Sequence, residues 1–306
     1  MPTYLDADGA ALHYEVRGAG RPTDPPVVVL SGGAARHPDY LGDLAGLTDV
    51  ADLVVPHLRG VGDTPAPADA DRGSYWNQAD DLEALRRHLG APALVLVGHG
   101  AGTRLTVSYA AQHPDRVAGL VLVCPPTGYL VDEPPDASDL AAARLDDLAF
   151  GVAWAELAAG PDLADDAAFN AWQRRTAPAG YALWGPREQA HAAIGDFHLA
   201  AAQAFFATLP PADLPARLWD VTAPVLVVGG AADCLTGVAP VLALADLFPN
   251  RTAVTLPGCG HYPWVEAPEE FRAAVAGFVA QVLAGGDDVR TSGPGRAALL
   301  RHRPSG

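Results

Sequence analysis

Short runs of valine and leucine recur along this chain and constrain its fold more than any other feature. Four of them are VVVL at 27–30, LVLV at 94–97, LVLV at 120–123 and VLVV at 225–228. A strand with one solvated face alternates apolar and polar residues, whereas a strand buried on both faces of a parallel sheet is apolar throughout. The runs are also too short to cross a bilayer. They therefore predict buried strands of a parallel sheet.

Helical segments are predicted between these strands, and the alternation indicates an α/β fold with a doubly wound sheet. Gly90 follows the longest of the early helices, where the left-handed conformation that glycine tolerates would end the helix. Strands are predicted at 12–16, 27–33, 52–60, 93–100, 117–126, 223–230 and 252–258, and helices near 39–47, 74–89, 103–112, 238–247 and 269–283.

The alternation stops over residues 127–220, which contain alanine-rich helical stretches and no convincing buried strand. We interpret this stretch as a helical cap inserted into an α/β core made of residues 1–126 and 221–284. Residues 285–306 are rich in glycine and arginine and are predicted to form a flexible tail. A chain of 306 residues, 49% of them hydrophobic, is long enough for one domain with such an insertion.

Charge and composition narrow the classes of partner. With 36 acidic against 20 basic residues the net charge is −16, so we expect no broad cationic surface for nucleic acid or an anionic membrane. Partners are expected to be neutral or cationic, and a small molecule or a peptide is the expected substrate. The N-terminus lacks a basic segment followed by an apolar one, which favours a cytoplasmic location.

Neither a metal nor another cofactor is expected. The histidines show no ligand spacing, such as two histidines at i and i+4 beside a carboxylate. The three cysteines, Cys124, Cys234 and Cys259, cannot all pair, and a chain of this length does not need disulfides, so reduced thiols are predicted.

The segment LVLVGHGAGTRL at 94–105 has the frame of a nucleophile elbow, in which a strand turns sharply into a helix between small residues. The centre of such a frame carries serine, cysteine or aspartate. Here the centre is Gly100, between His99 and Ala101, and glycine has no side chain. We therefore predict a vacant nucleophile position that can form no acyl-enzyme.

Further motifs follow in a fixed order along the chain. VVVLSGGAA resembles a strand and oxyanion loop usually written with His-Gly-Gly-Pro-Gly, and HLRGVGDT at 57–64 resembles Asp-x-Arg-Gly-x-Gly-x-Ser. The departures are Ser31 for the histidine, Ala34 and Ala35 for Pro-Gly, His57 for the aspartate and Thr64 for the serine.

With the elbow and two later segments, these motifs resemble those of the α/β-hydrolase superfamily, and more closely those of prolyl iminopeptidases and related actinobacterial hydrolases. The resemblance covers about residues 10–283 and implies a mostly parallel, doubly wound sheet with an inserted helical cap. It places Asp233, in VLVVGGAADCLT, at the position of the triad acid. It places His261, in LPGCGHYPWVEAPEEF, at the position of the triad histidine.

The resemblance implies a usable base, because an aspartate that fixes the imidazole tautomer makes the histidine more basic. It also implies oxyanion donors, which are backbone amides: that of Ala101 and one from the Gly32-Gly33-Ala34 turn. A base beside a carbonyl-binding pocket, without a nucleophile, can remove a proton α to the carbonyl. The leading hypothesis is therefore cofactor-independent epimerisation or isomerisation of a peptide or natural-product intermediate, similar to the bottromycin epimerase.

Alternative interpretations remain at several positions. The chain is alternatively a hydrolase in which His261 activates water, or a ligand-binding protein without catalysis. His99 either packs against the elbow or contacts the substrate, and His37 and His57 either point into the site or stay outside it. Cys234 and Cys259 are either relocated nucleophiles or small core residues. The tryptophans of the cap, with Tyr181, either form an aromatic wall over the site or hold the cap together.

Overall fold

The computed structural model describes residues 2–285 of the chain. Within them the sheet has eight strands. They are β1 (Thr3–Leu5), β2 (Ala11–Arg17), β3 (Val27–Leu30), β4 (Leu53–Pro56), β5 (Leu94–His99), β6 (Val117–Val123), β7 (Val225–Gly230) and β8 (Arg251–Leu256). The spatial order is β1-β2-β4-β3-β5-β6-β7-β8. The pairs β1–β2 and β2–β4 are antiparallel, and the six strands β3 to β8 run parallel.

The buried strands that the apolar runs predict are confirmed. Every residue of β3, β4, β5 and β7 is buried. β1 was missed by the sequence analysis, because this edge strand has three residues and only its central Tyr4 is buried. Such a short, half-exposed strand carries too few apolar positions to show a period.

Some helices of the described residues cover the two faces of the sheet, and others belong to the stretch of chain that connects β6 to β7. They are α1 (Ala79–His88), α2 (Gly102–Gln112), α3 (Ala137–Ala142), α4 (Leu148–Ala159), α5 (Asp166–Thr176), α6 (Pro186–Ala192), α7 (Leu199–Phe205), α8 (Leu214–Arg217), α9 (Ala239–Leu244), α10 (Pro263–Glu266) and α11 (Pro268–Leu283). Alternate residues of the strands separate into two cores. Leu94 and Leu96 pack with α1, α2 and α9, whereas Val95 and Val97 pack with α11.

The helix predicted over 39–47 is wrong. The chain instead forms two short 3-10 turns, at Pro38–Leu41 and Leu47–Asp49. Between the two turns, Gly42, Leu44, Ala45 and Gly46 have positive φ angles, which a right-handed helix does not allow. The first turn buries the side chain of Tyr40, which later proves important for the site.

The stretch between β6 and β7 contains α3 to α8 and, within the described residues, no strand of the sheet. The division into core and cap stays a prediction, because nothing in the fold alone fixes those boundaries. The predicted tail, apart from Gly285, lies outside the described residues. Among residues 2–285, no helix is both long and apolar enough to cross a membrane.

Candidate active site

The elbow can turn sharply because the two glycines that flank it, Gly98 and Gly102, leave room for neighbouring atoms that a Cβ would displace. A Cβ at Gly98 would collide with the Thr106 hydroxyl, and a Cβ at Gly102 would collide with the Ser31 carbonyl. Gly100, between them, has a φ of +51° and donates its amide to the Val123 carbonyl at 2.9 Å. A Cβ built on Gly100 would lie 2.9 Å from His261 Nε2.

Asp233 and His261, which follow β7 and β8, lie side by side because these two strands are neighbours in the sheet. His261 Nδ1 donates to Asp233 Oδ2 at 2.9 Å, and the Thr236 hydroxyl donates to the same oxygen at 2.5 Å. Burial alone would raise the pKa of Asp233, but His261 and the hydrogen bonds to the carboxylate hold that pKa below its usual value. With Nδ1 protonated, the lone pair of His261 is on Nε2, which faces Gly100.

His99 positions the backbone of His261. Its Nε2 donates to the His261 carbonyl at 2.9 Å, and its Nδ1 accepts from the Tyr40 hydroxyl at 2.9 Å. Burial, followed by the proximity of His261, lowers the pKa of His99 well below its usual value, so the ring stays neutral. Both ring nitrogens are engaged by the protein, which favours the alternative in which His99 packs against the elbow over contact with the substrate.

The same contact corrects the expectation for Gly32. Its amide donates to the Tyr40 hydroxyl at 2.6 Å and is therefore not available to a substrate oxygen. The amides of Gly33, Ala34 and Ala101 have no acceptor among the described residues. Gly33 and Ala34 lie in the left-handed region, with φ angles of +68° and +46°. These three amides are the candidate oxyanion donors.

The other motif residues have partners outside the dyad. His57 Nε2 donates to Glu15 at 3.0 Å, and His37 packs against the His57 ring with 5.2 Å between ring centroids. Thr64 accepts the amide of His13 at 2.9 Å. None of these contacts involves Asp233 or His261, so the hydrogen bonds of the HLRGVGDT loop serve the core.

The cysteines are free and buried, in line with the predicted reduced thiols. Burial raises the pKa of the Cys234 thiol, and it raises the pKa of the Cys259 thiol to about 12. A thiol that keeps its proton is a poor nucleophile, which argues against a relocated cysteine nucleophile.

Cys124 was missed as a neighbour of the dyad, since it follows β6 and no sequence spacing joins it to the other two residues. Its Sγ, an Asp233 carboxylate oxygen and a His261 ring nitrogen lie within 4.8 Å of one another. These are donor types that Zn²⁺ accepts. However, the Asp233 and His261 atoms already bond each other, and burial raises the pKa of the Cys124 thiol well above its usual value.

Among the described residues, no tryptophan lines the cavity beside Tyr181, although Trp184 contacts the Tyr181 ring with 5.4 Å between ring centroids. Trp154 stacks on Phe150 and Trp172 stacks on Phe169, so both hold the cap together. This cavity lies between the stretch that follows β6 and the predicted core, and its aromatic lining comes from Tyr181, Phe197 and Tyr262. Arg36 and Tyr40, which also shape this region, carried no signal in the sequence that pointed to them.

Comparison with known proteins shows the family of the chain. The profile of the alpha/beta hydrolase fold family matches residues 25–268. A proline iminopeptidase from Neisseria gonorrhoeae is 35% identical over 106 residues, which are 34% of each chain. A 2-(acetamidomethylene)succinate hydrolase from Mesorhizobium japonicum is 30% identical over 204 residues, covering 66% of this chain and 69% of that protein. The chain thus spans about a third of the first iminopeptidases that it matches.

Solved structures agree on the fold. A proline iminopeptidase from Mycobacterium smegmatis superposes with a TM-score of 0.68 at 22% identity, covering 94% of this chain and 99% of that one. The esterase RhEst1 from a Rhodococcus species superposes with a TM-score of 0.69 at 24% identity, covering 92% and 98%. With the family match over residues 25–268, the chain belongs to the α/β-hydrolase fold family.

Proposed function

We propose that this chain is a hydrolase in which His261, oriented by Asp233, activates a water molecule directly. The observation that carries the proposal is the direction of His261 Nε2, which faces the backbone of Gly100 while Nδ1 is held by Asp233. Position 100 offers no atom that can attack a carbonyl carbon. The base is therefore free to act on water instead of on a serine hydroxyl.

The groups of this site can complete the reaction without a further reactant. Water gives a proton to His261 Nε2 as its oxygen bonds to the carbonyl carbon of an ester or amide. The carbonyl oxygen takes the negative charge and accepts from the amides of Gly33, Ala34 and Ala101. The carbonyl re-forms as the bond to the leaving group breaks, and His261 returns the proton to that leaving oxygen or nitrogen.

A hydrolase of this kind is expected to be slow. General-base catalysis contributes about 10² to 10⁴-fold. A serine hydrolase without its nucleophile keeps about 10³ to 10⁴-fold over water from the oxyanion hole and binding alone. The names of the relatives favour hydrolysis, and the substrate class is expected to be a small-molecule or peptide ester or amide.

The test uses a panel of esters and aminopeptides in ¹⁸O-labelled water. We expect one labelled oxygen in the acid product, no initial burst, and no labelling of the protein by fluorophosphonates. His261→Ala is expected to abolish turnover while the far-UV circular dichroism stays unchanged. Turnover that persists undiminished in His261→Ala would contradict the mechanism, and a burst with covalent labelling would point to a nucleophile elsewhere.

Gly100 also favours a second candidate, which is proton transfer α to a carbonyl, as in peptide epimerisation. The same base and the same amides would remove a proton and hold the resulting enolate, and no nucleophile would compete for the carbonyl carbon. The relatives described above are named as hydrolases and peptidases, which favours hydrolysis over epimerisation.

Incubation of candidate peptides in deuterated water separates the two reactions. α-Deuteration without cleavage supports proton transfer, and cleavage without α-deuteration supports hydrolysis. Ligand binding without either reaction would instead indicate a non-catalytic binding protein.

A further inference from the structure

A cavity of about 90 Å³ lies between the helices that follow β6 and the predicted core, beside the residue that follows the catalytic candidate His261 in the chain. Tyr262 and Leu235 line it, and Arg36 and Arg174 contribute the two cations of its wall. Neither His261 nor Asp233 lines the cavity, so it is next to the reacting centre but separate from it.

Arg36 is a buried cation, with 2% of its surface exposed. Its Nε and Nη2 atoms donate to four carbonyl groups at the end of α6 and in the turn behind it, and these contacts tie the cap to the oxyanion turn. The four carbonyls belong to His191, Ala192, Ile194 and Gly195. Anchoring of the cap therefore accounts for three of the five N–H groups of the guanidinium.

The anchoring role does not account for Nη1. This atom has two N–H groups, and its acceptor among the described residues is the Tyr262 hydroxyl at 3.3 Å. Among residues 2–285, no ion pair includes Arg36 or Arg174. The carbonyls at the end of α6 offset part of the charge of Arg36, but a buried cation without a carboxylate stays costly.

The sign of the charge around the cavity is opposite to that of the whole chain. The charged residues that line it are Arg36, Arg174 and Asp196, and the last two are exposed. Two cations against one anion stand out in a chain of net charge −16. The composition led us to expect neutral or cationic partners, yet this cavity favours an anion.

We propose that this cavity binds a carboxylate group of the substrate, through Arg36 Nη1 and the Tyr262 hydroxyl, with Arg174 at the rim. The Tyr262 oxygen already accepts from Nη1, and its own proton has no acceptor among the described residues, so it is available to a ligand. Burial raises the pKa of Tyr262, so the hydroxyl keeps that proton. A cavity of about 150 Å³ holds benzene. The smaller volume here suits a carboxylate on a short aliphatic stem.

The identification of the ligand as substrate rests on the proposed hydrolase function, whereas the carboxylate site itself does not. An ester or amide that carries a carboxylate would place the acid in the cavity and its reacting carbonyl near Gly33 and Ala101. Phe197 lies between these two regions, because a Cβ at Gly33 would meet its ring at 2.6 Å. The aliphatic chain that joins the carboxylate to the reacting carbonyl would therefore pass the Phe197 ring.

The test measures the binding of succinate by titration calorimetry, with uncharged succinamide as the control ligand. We expect saturable binding of succinate and at least about tenfold weaker binding of succinamide. Tyr262→Phe and Arg174→Gln are expected to weaken succinate binding about three- to tenfold. Arg175→Gln is the matched control, since Arg175 is the next residue on α5, pairs with Glu156 at 3.3 Å and does not line the cavity.

Three outcomes would overturn the proposal: no saturation up to about 50 mM succinate, equal binding of both ligands, or equal effects of the Arg174 and Arg175 variants. His261→Ala separates this proposal from the proposed function. Succinate binding that survives in this variant while turnover is lost would support both proposals, because the site and the base are then separate. Succinate binding by a wild-type protein that hydrolyses no ester or amide would leave the carboxylate site standing and remove the hydrolase. Hydrolysis of neutral esters without succinate binding would do the reverse.

Discussion

The Nε2 atom of His261 lies 2.9 Å from the point that a Cβ on Gly100 would occupy. Real Cβ atoms do not approach another atom so closely, so any side chain at position 100 must push the imidazole away. A serine at this position would meet the same obstacle before its hydroxyl could bond the imidazole. The absence of a side chain at position 100 therefore allows His261 to take its place beside Asp233.

Gly100→Ala is expected to lower kcat/KM about 100-fold, because a shift of the base by a fraction of an ångström to 1 Å disturbs the attacking geometry. Its φ of +51° should also cost about 1 kcal/mol of stability for an alanine. Gly90→Ala is the control, since Gly90 has a φ of +66° and open space around its Cβ. Urea unfolding should show a loss of stability in both variants, larger at position 100, where the Cβ also displaces His261, and steady-state kinetics should show a loss of activity only at position 100. Unchanged kinetics in Gly100→Ala would contradict the placement of the base.

Tyr40→Phe is expected to impair both stability and activity. The substitution leaves the Gly32 amide and His99 Nδ1 without a partner, at about 1–3 kcal/mol for a buried polar group. Because His99 holds the His261 carbonyl, we expect a fall in kcat of about tenfold with little change in KM. Tyr109→Phe is the control: its hydroxyl donates to Glu83 at 3.1 Å, and it should lose stability alone. Equal kinetics in the two variants would rule out a positioning role for His99.

Acid should destabilise the fold through His191. Burial lowers the pKa of His191 from 6.5 to about 4. Its Nδ1 accepts from the Tyr181 hydroxyl at 2.7 Å. Between these two pH values the unfolded chain binds the proton and the folded chain does not, so stability falls as the pH falls from 6.5 to 4. The pKa difference corresponds to about 3 kcal/mol.

His191→Gln should flatten this dependence, and urea midpoints measured at intervals between pH 7 and pH 4 would show it. His99, whose pKa is also lowered, should leave a residual slope in the variant. An identical slope in both proteins would mean that folding does not change the pKa of His191.

The thiols are expected to be inert in the folded protein. All three cysteines are buried, and burial raises the pKa of each thiol. Incubation with dithionitrobenzoate at neutral pH should modify none of the cysteines of the native protein and all three after denaturation in urea. Rapid modification of one cysteine without urea would reveal an accessible thiolate and would reopen cysteine as a nucleophile.

The central sheet could be predicted from local apolar runs, whereas the placement of Asp233 and His261 came from the resemblance of their motifs to those of the α/β-hydrolase superfamily. The runs at β3, β5, β6 and β7 are apolar at every position, and the motifs of Asp233 and His261 follow strands that are neighbours in the sheet. The carboxyl ends of parallel neighbours meet at one edge, so the two side chains had to lie close together.

The supporting residues could not be predicted in the same way. Tyr40 lies in a segment whose composition suits a helix, but whose backbone turns left-handed at Leu44 and Ala45. Arg36 finds its acceptors in the cap, more than 150 residues further along the chain. Contacts over such separations depend on how the cap packs on the core. Neither the local hydrophobic periodicity nor a sequence motif predicts them.

The tie between Arg36 and the end of α6 has a mechanical consequence. The turn at Gly33 and Ala34, which carries candidate oxyanion donors, is separated from Arg36 by two residues or fewer, and the His198 amide donates to the Ala35 carbonyl at 3.2 Å. If the cap moved away from the core as a rigid body, it would therefore displace this turn. The amides of Gly33 and Ala34, which we propose bind the carbonyl oxygen, would then move out of place. We expect substrate to enter and product to leave beside the exposed backbone of Gly33, while the cap stays in contact with the core throughout turnover.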